Sequence, residues 1–102
     1  MEYSLKNSEE AIEIQMAGRV TFEDNGAFKN IISKLSQQDH GSVILDLNDV
    51  NLVDSAGVGM LLRVQAEVEK KDCNIAMRIP RSGPVKRLMD IARFDELIPV
   101  VA

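Results

Sequence analysis

The residues best placed to do chemistry lie in the run Asp54-Ser55-Ala56-Gly57-Val58-Gly59. It presents one hydroxyl, at Ser55, beside a carboxylate and ahead of residues with almost no side chain, so a partner's backbone or an enzyme's active site can approach closely. Two readings suit such a run. Ser55 or Asp54 can cap a helix by accepting a backbone N–H, worth about 0.5–2 kcal/mol, or the hydroxyl can stand open to a partner that approaches over the small residues.

The rest of the chain adds little catalytic equipment. His40 is the sole histidine and lies in a polar turn, so a histidine-based triad or a multi-histidine metal site would have to be built around one loop residue. Gly57-Val58-Gly59 lacks the third glycine and the strand context of a dinucleotide fingerprint, and no Gly-Lys-Ser/Thr phosphate loop occurs. Asp46, Asp49 and Asp54 are candidates for an acidic pocket like that of a phospho-accepting receiver, but the paired acids such a pocket needs early in the chain are missing. No cofactor and no metal are expected.

Bulk composition agrees with a small globular protein. The chain has 102 residues, enough for one core without staples, so residues 1–102 are expected to form one domain. With 45% hydrophobic and 27% charged residues it reads as globular. No apolar run is long enough for a membrane span and Met1-Glu2-Tyr3-Ser4-Leu5-Lys6 does not resemble a signal peptide, which points to a cytoplasmic protein without membrane insertion. Cys73 is the only cysteine, which excludes an internal disulfide. A net charge of −4 argues against direct nucleic-acid binding. The local exception is Arg78, Arg81, Lys86, Arg87 and Arg93, a basic stretch that is either solvated surface or a patch for an acidic partner.

The elements that must position Ser55 follow from apolar spacing. Ala11–Met16 alternates as a half-buried strand, and Gly18 is expected to turn it back into a second strand, Arg19–Phe22. Thr21 and Asp24 are spaced to cap a helix with Phe28, Ile31, Ile32 and Leu35 inward, ending near Gln38 before the turn residues Asp39-His40-Gly41-Ser42. Val43–Leu47 reads as a buried strand with its exit at Asn48-Asp49. A helix follows Ser55 with Val58, Leu61, Leu62 and Val68 inward, to Lys70-Lys71. Asn74–Ile79 is a strand, Pro84 opens a helix burying Val85, Leu88, Met89 and Ala92, and Leu97–Val101 is a short edge strand. The expected fold is α/β, with a mixed sheet of four to five strands and helices packed on it.

Val43-Ile44-Leu45-Asp46-Leu47, followed after a spacer by Val53-Asp54-Ser55-Ala56-Gly57-Val58-Gly59-Met60-Leu61-Leu62, resembles the signature of the STAS family, the sulfate transporter and anti-sigma factor antagonist domains. Gly18-Arg19-Val20 resembles the family's early turn, and Pro84–Leu88 through Phe94–Leu97 its closing segments, so the likeness covers essentially the whole chain. For the stand-alone antagonists the resemblance implies a specific role. Ser55 would be the phosphorylation site, and Asp24, Asp54, Ser55, Ala56, Gly57, Val58 and Gly59 would form the partner-binding surface. The partners would be an anti-sigma factor that is also a serine kinase of the histidine-kinase-like ATPase type, and a PP2C-type phosphatase. Where many members continue with Leu-Asp after the second strand, this chain has Val20-Thr21-Phe22-Glu23-Asp24, a departure within the partner surface. Other stand-alone members are non-catalytic subunits seated on the ATPase of a membrane lipid-transport ABC complex, and these often carry threonine at the switch position.

Overall fold

The computed structural model describes residues 1–8, 10–37 and 41–101. Its frame is a four-stranded sheet in the order β1-β2-β3-β4, formed by β1 (Glu2–Asn7), β2 (Ile12–Val20), β3 (Ser42–Val53) and β4 (Asn74–Arg78). β1 runs antiparallel to β2, and β2, β3 and β4 run parallel, so the sheet is mixed. Three helices connect and cover it: α1 (Asn25–Gln37), α2 (Ser55–Lys70) and α3 (Pro84–Ile91).

Period-2 alternation decides which face is covered. Ile12 pairs with Val43 and Ile14 with Leu45, while Val43 and Leu45 pair with Ile75 and Met77, so one face is a continuous apolar surface. It forms one buried cluster with Phe28, Ile31 and Leu35 of α1, Leu61, Val64 and Val68 of α2, and Val85 and Met89 of α3. The opposite face carries Glu13, Gln15, Asp46 and Arg78, with Arg78 bonded to Glu13 and 3.8 Å from Asp46. Large polar side chains there cannot be buried without partners, so this face remains open to water.

Three expectations about the strands need correction. The opening hairpin is β1–β2, with the Ser8 N–H donating to the Ala11 carbonyl at 2.9 Å, whereas the expected hairpin began at Ala11 and gave Glu2–Asn7 no element. Gly18, the expected hairpin turn, lies inside β2 with φ of 87°, next to a register shift, because its freedom at positive φ serves a bulge. β3 does not end at Asn48-Asp49. It passes through a register shift against β2 at Leu47-Asn48, pairs Asp49 with Ala17, and continues to Val53, carrying the chain to Ser55.

The C-terminal expectations are met only in part. Leu97–Val101 contributes only a bridge at the β4 edge: the Met77 N–H donates to the Pro99 carbonyl, and the Val101 N–H to the Met77 carbonyl. Of the residues expected inside α3, Val85 and Met89 are buried, Leu88 is half-buried and Ala92 lies exposed past the helix end. α1 ends at Gln37, and the expected turn residues Asp39 and His40 lie outside the described residues.

Candidate functional site

The site is built where β2 and β3 end side by side. Their parallel register pairs Val20 with Val53, so the residues that follow each strand, Thr21-Phe22 and Asp54-Ser55, emerge together. Asp54 joins the two exits. Its backbone N–H donates to the Val20 carbonyl at 3.2 Å, its Oδ1 accepts the Gly57 N–H at 2.7 Å, and its Oδ2 accepts the Phe22 N–H at 3.2 Å. One carboxylate thus caps α2 and tethers the 3₁₀ turn Phe22–Asp24 that leads into α1.

Because Asp54 takes the capping role, Ser55 is free of it. Ser55 is the first residue of α2 and is exposed, and its hydroxyl makes no hydrogen bond to any described residue. Removing Asp54 should therefore damage the frame rather than the hydroxyl. Asp54→Ala leaves two backbone N–H groups without their acceptor, and we expect a loss of about 2 kcal/mol. That lowers the melting temperature by roughly 10 °C. Asp54→Asn, which keeps one acceptor oxygen, should lose less. Equal melting temperatures for all three proteins would show that the tether contributes nothing.

The small residues after Ser55 have different roles. Gly57 is buried: a Cβ there would lie 2.4 Å from the Val20 carbonyl oxygen and 2.9 Å from Val53 Cγ1, so its hydrogen lets α2 press against the end of β2. Its expected place on a partner surface is corrected accordingly, because this position faces inward. Gly59 faces open space, while Ala56 and Val58 are half-buried beside Ser55.

Asp24 lies on the same side. Its Oδ2 accepts the Thr21 N–H at 2.8 Å, and its Oδ1 is 3.1 Å from the Met1 ammonium. Burial pushes the Asp24 carboxyl up, but the Thr21 bonds and the Met1 charge outweigh it, leaving the group below the ordinary aspartate value. Asp24 and Asp54 line a shallow depression of about 390 Å³ with Met1, Arg19, Thr21, Phe22 and Glu23. Phe22 is 72% exposed and is bonded through its backbone to Asp54, which makes it an aromatic side chain presented to solvent at the site.

Neither Phe22 nor Arg19 was named as a contact residue, although Phe22 lies in the Val20–Asp24 departure within the expected partner surface and Arg19 in the Gly18-Arg19-Val20 run that resembles the family's early turn. The signal for Phe22 was its place directly after the capping Thr21, where a helix-starting side chain points outward. Arg19 gave no signal of its own, since its place in the same depression as Asp54 depends on the pairing of β2 with β3.

The alternative chemistries do not assemble. Asp46 is engaged by Arg78 and by the Asn48 N–H at 3.0 Å, Asp49 is exposed within β3, and Asp54 caps α2. Among the described residues no cluster of histidine, cysteine or carboxylate side chains could hold a metal ion. The basic stretch is largely neutralised. Arg78 is paired with Glu13, Lys86 lies 2.6 Å from Asp90 and Arg93 lies 3.6 Å from Glu96. No helix among the described residues is long and apolar enough to cross a membrane.

Comparison with known proteins places this arrangement. No curated protein matches the sequence. Among solved structures, the chain resembles the anti-sigma factor antagonist SpoIIAA in its unphosphorylated form, at 19% identity over 99% of this chain and 88% of that one, with a TM-score of 0.71. The phosphorylated form of SpoIIAA, from Bacillus, matches at 19% identity over 99% and 92%, with a TM-score of 0.69. A proposed anti-sigma factor antagonist from Thermotoga maritima matches at 16% identity over 96% and 84%, with a TM-score of 0.83. At these identities the likeness establishes the fold. The sequence model described as "Mlab, STAS domain" matches residues 3–99, and with that span covered the chain belongs to the STAS domain family.

Proposed function

We propose that this chain is a non-catalytic regulatory module of the anti-sigma factor antagonist type, and that phosphorylation of Ser55 switches it off. The observation that carries the reading is the division of labour at the start of α2. Asp54 makes the structural bonds and Ser55 offers an exposed hydroxyl without a bond to lose. Modification at that hydroxyl leaves every described contact of the fold in place.

The docking surface is Ser55 with Ala56, Val58 and Gly59, extended across the depression by Asp24, Asp54 and Phe22. An exposed aromatic next to small residues is the composition of an interface anchor. The partner is an anti-sigma factor acting as a serine kinase of the histidine-kinase-like ATPase type, and a PP2C-type phosphatase restores the unmodified form. Resemblance to a fold solved in both unphosphorylated and phosphorylated forms supports this choice.

A second reading is a non-catalytic STAS subunit of a membrane lipid-transport ABC complex. The observation favouring it is that the matching family model is named for Mlab rather than for an antagonist.

Capture of partners from the native cell on the full chain, with phosphosite mapping of the recovered protein, tests both. The regulatory reading expects a histidine-kinase-like ATPase among the partners and phosphate on Ser55 alone. A transport ATPase as the dominant partner, with Ser55 unmodified, overturns it in favour of the second.

A further inference from the structure

We propose that β1 is a self-pairing edge: two copies of this chain join their β1 strands antiparallel about a two-fold axis through Ser4, forming one continuous sheet. β1 is the terminal strand of the sheet and pairs only with β2 among the described strands, so its outer backbone groups are available to another strand.

The side chains select the occupant. A two-fold axis perpendicular to the sheet keeps each face with its like, so it must pass through a residue of β1 rather than between two. Centred on Ser4, it sets Glu2 opposite Lys6 of the second copy, Tyr3 opposite Leu5, and Ser4 opposite Ser4. Each of the first two contacts is made twice. Glu2, Ser4 and Lys6 are exposed on the open face, while Tyr3 and Leu5 are half-buried against the core. The charged face therefore meets opposite charge and the apolar face meets apolar neighbours. Centring on Tyr3 or Leu5 opposes no opposite charges.

Both charges are available for the contact. Neither Glu2 nor Lys6 makes an ion pair among the described residues, and the carboxylate nearest Lys6 across the ladder, Glu13, is held by Arg78. The contact is isologous, so it closes at two copies instead of propagating. A strand of six residues buries less than a standard interface, so association is weak and concentration-dependent. A lysine on an edge strand is also a common guard against strand pairing. That reading predicts a monomer, and the two are separable.

Sedimentation of the full chain across the micromolar to millimolar range is the test. The native protein should dimerise, and Glu2→Lys or Lys6→Glu alone should weaken the dimer by about tenfold or more, since each sets like charges together at both ends. Glu2→Lys combined with Lys6→Glu restores opposite pairs and should restore the dimer. Added salt should weaken the native dimer, the pairs being exposed. Thermal unfolding of each variant checks that these surface changes leave the monomer folded. A native protein that stays monomeric throughout, single reversals without effect, or a double reversal that fails to rescue would each overturn the proposal.

Discussion

Ser55→Glu and Ser55→Asp are expected to bind the regulatory partner roughly a thousandfold more weakly than the native protein, while Ser55→Ala binds normally and cannot be phosphorylated. The expectation rests on the exposure of Ser55 and on the cost of docking a charge. A phosphoserine carries about −1.5 to −2 charges at neutral pH. In the free protein the start of α2 attracts that charge by about 0.3–1 kcal/mol. Asp54 repels it by a comparable amount. The two effects nearly cancel in an exposed position, so the fold should persist.

Docking changes the balance, because the interface strips water from the anion. Burying a charge without a matched partner costs several kcal/mol, and about 4 kcal/mol corresponds to a thousandfold in affinity. The neighbourhood does not supply clear compensation. The structure sets one basic side chain, Arg19, in the same depression as Asp54. Arg19 and the Met1 ammonium there face Glu23, Asp24 and Asp54, and the ammonium is engaged by Asp24. Titration of the three variants against the kinase partner, alongside thermal unfolding, separates the mechanism from simple damage. Equal affinities for all three would end the phosphoswitch reading. Lower affinity accompanied by unfolding would mean that the acidic residues act on the fold.

The second large effect concerns two glycines that look interchangeable in the sequence. Gly57→Ala should destabilise the protein by about 2 kcal/mol, and Gly59→Ala should stabilise it by about 0.5–1 kcal/mol. In a helix, alanine is intrinsically better than glycine at either position. At Gly57 that gain is overridden, because the new Cβ would lie 2.4 Å from the carbonyl oxygen of Val20, backbone held by its pairing with Val53 and by the Asp54 N–H. Either α2 lifts from β2 or the strand end shifts, and both disturb the Asp54 bonds to Phe22 and Gly57. At Gly59 nothing lies within 4 Å of the added carbon. The two melting temperatures should therefore differ by roughly 15 °C. Matching values would show that α2 is not held against Val20. Gly57→Ala should also weaken partner binding through the displaced start of α2, whereas Gly59→Ala reduces binding only where the partner itself needs the space.

Much of the arrangement was legible from residue spacing. The α1 stripe Phe28, Ile31 and Leu35 sits in the core as its spacing implies, and so do Leu61 and Val68 of α2. The strand–helix junction at Asp54-Ser55 follows from small residues and a capping carboxylate, both local signals that survive folding because cap and turn chemistry act within a few residues.

What escaped was long-range. β1 offers only Tyr3 and Leu5 as apolar alternation, and its status as a strand depends on the neighbouring β2. Gly18 signals a change of backbone conformation, but whether that change is a turn or a bulge depends on the strand beside it. Asn48-Asp49 reads as an exit, yet β3 carries both residues onward to the site.

The same division holds at Ser55. The sequence by itself determined that a hydroxyl stands at the mouth of a helix beside a carboxylate, since those are nearest neighbours in the chain. Only the tertiary structure decided that the capping Asp54 also tethers Phe22, that Arg19 lines the same depression, and that Gly57 faces inward against Val20. Each of those facts depends on the parallel register that brings Val20 against Val53, across 33 residues of chain, and no local propensity encodes that pairing.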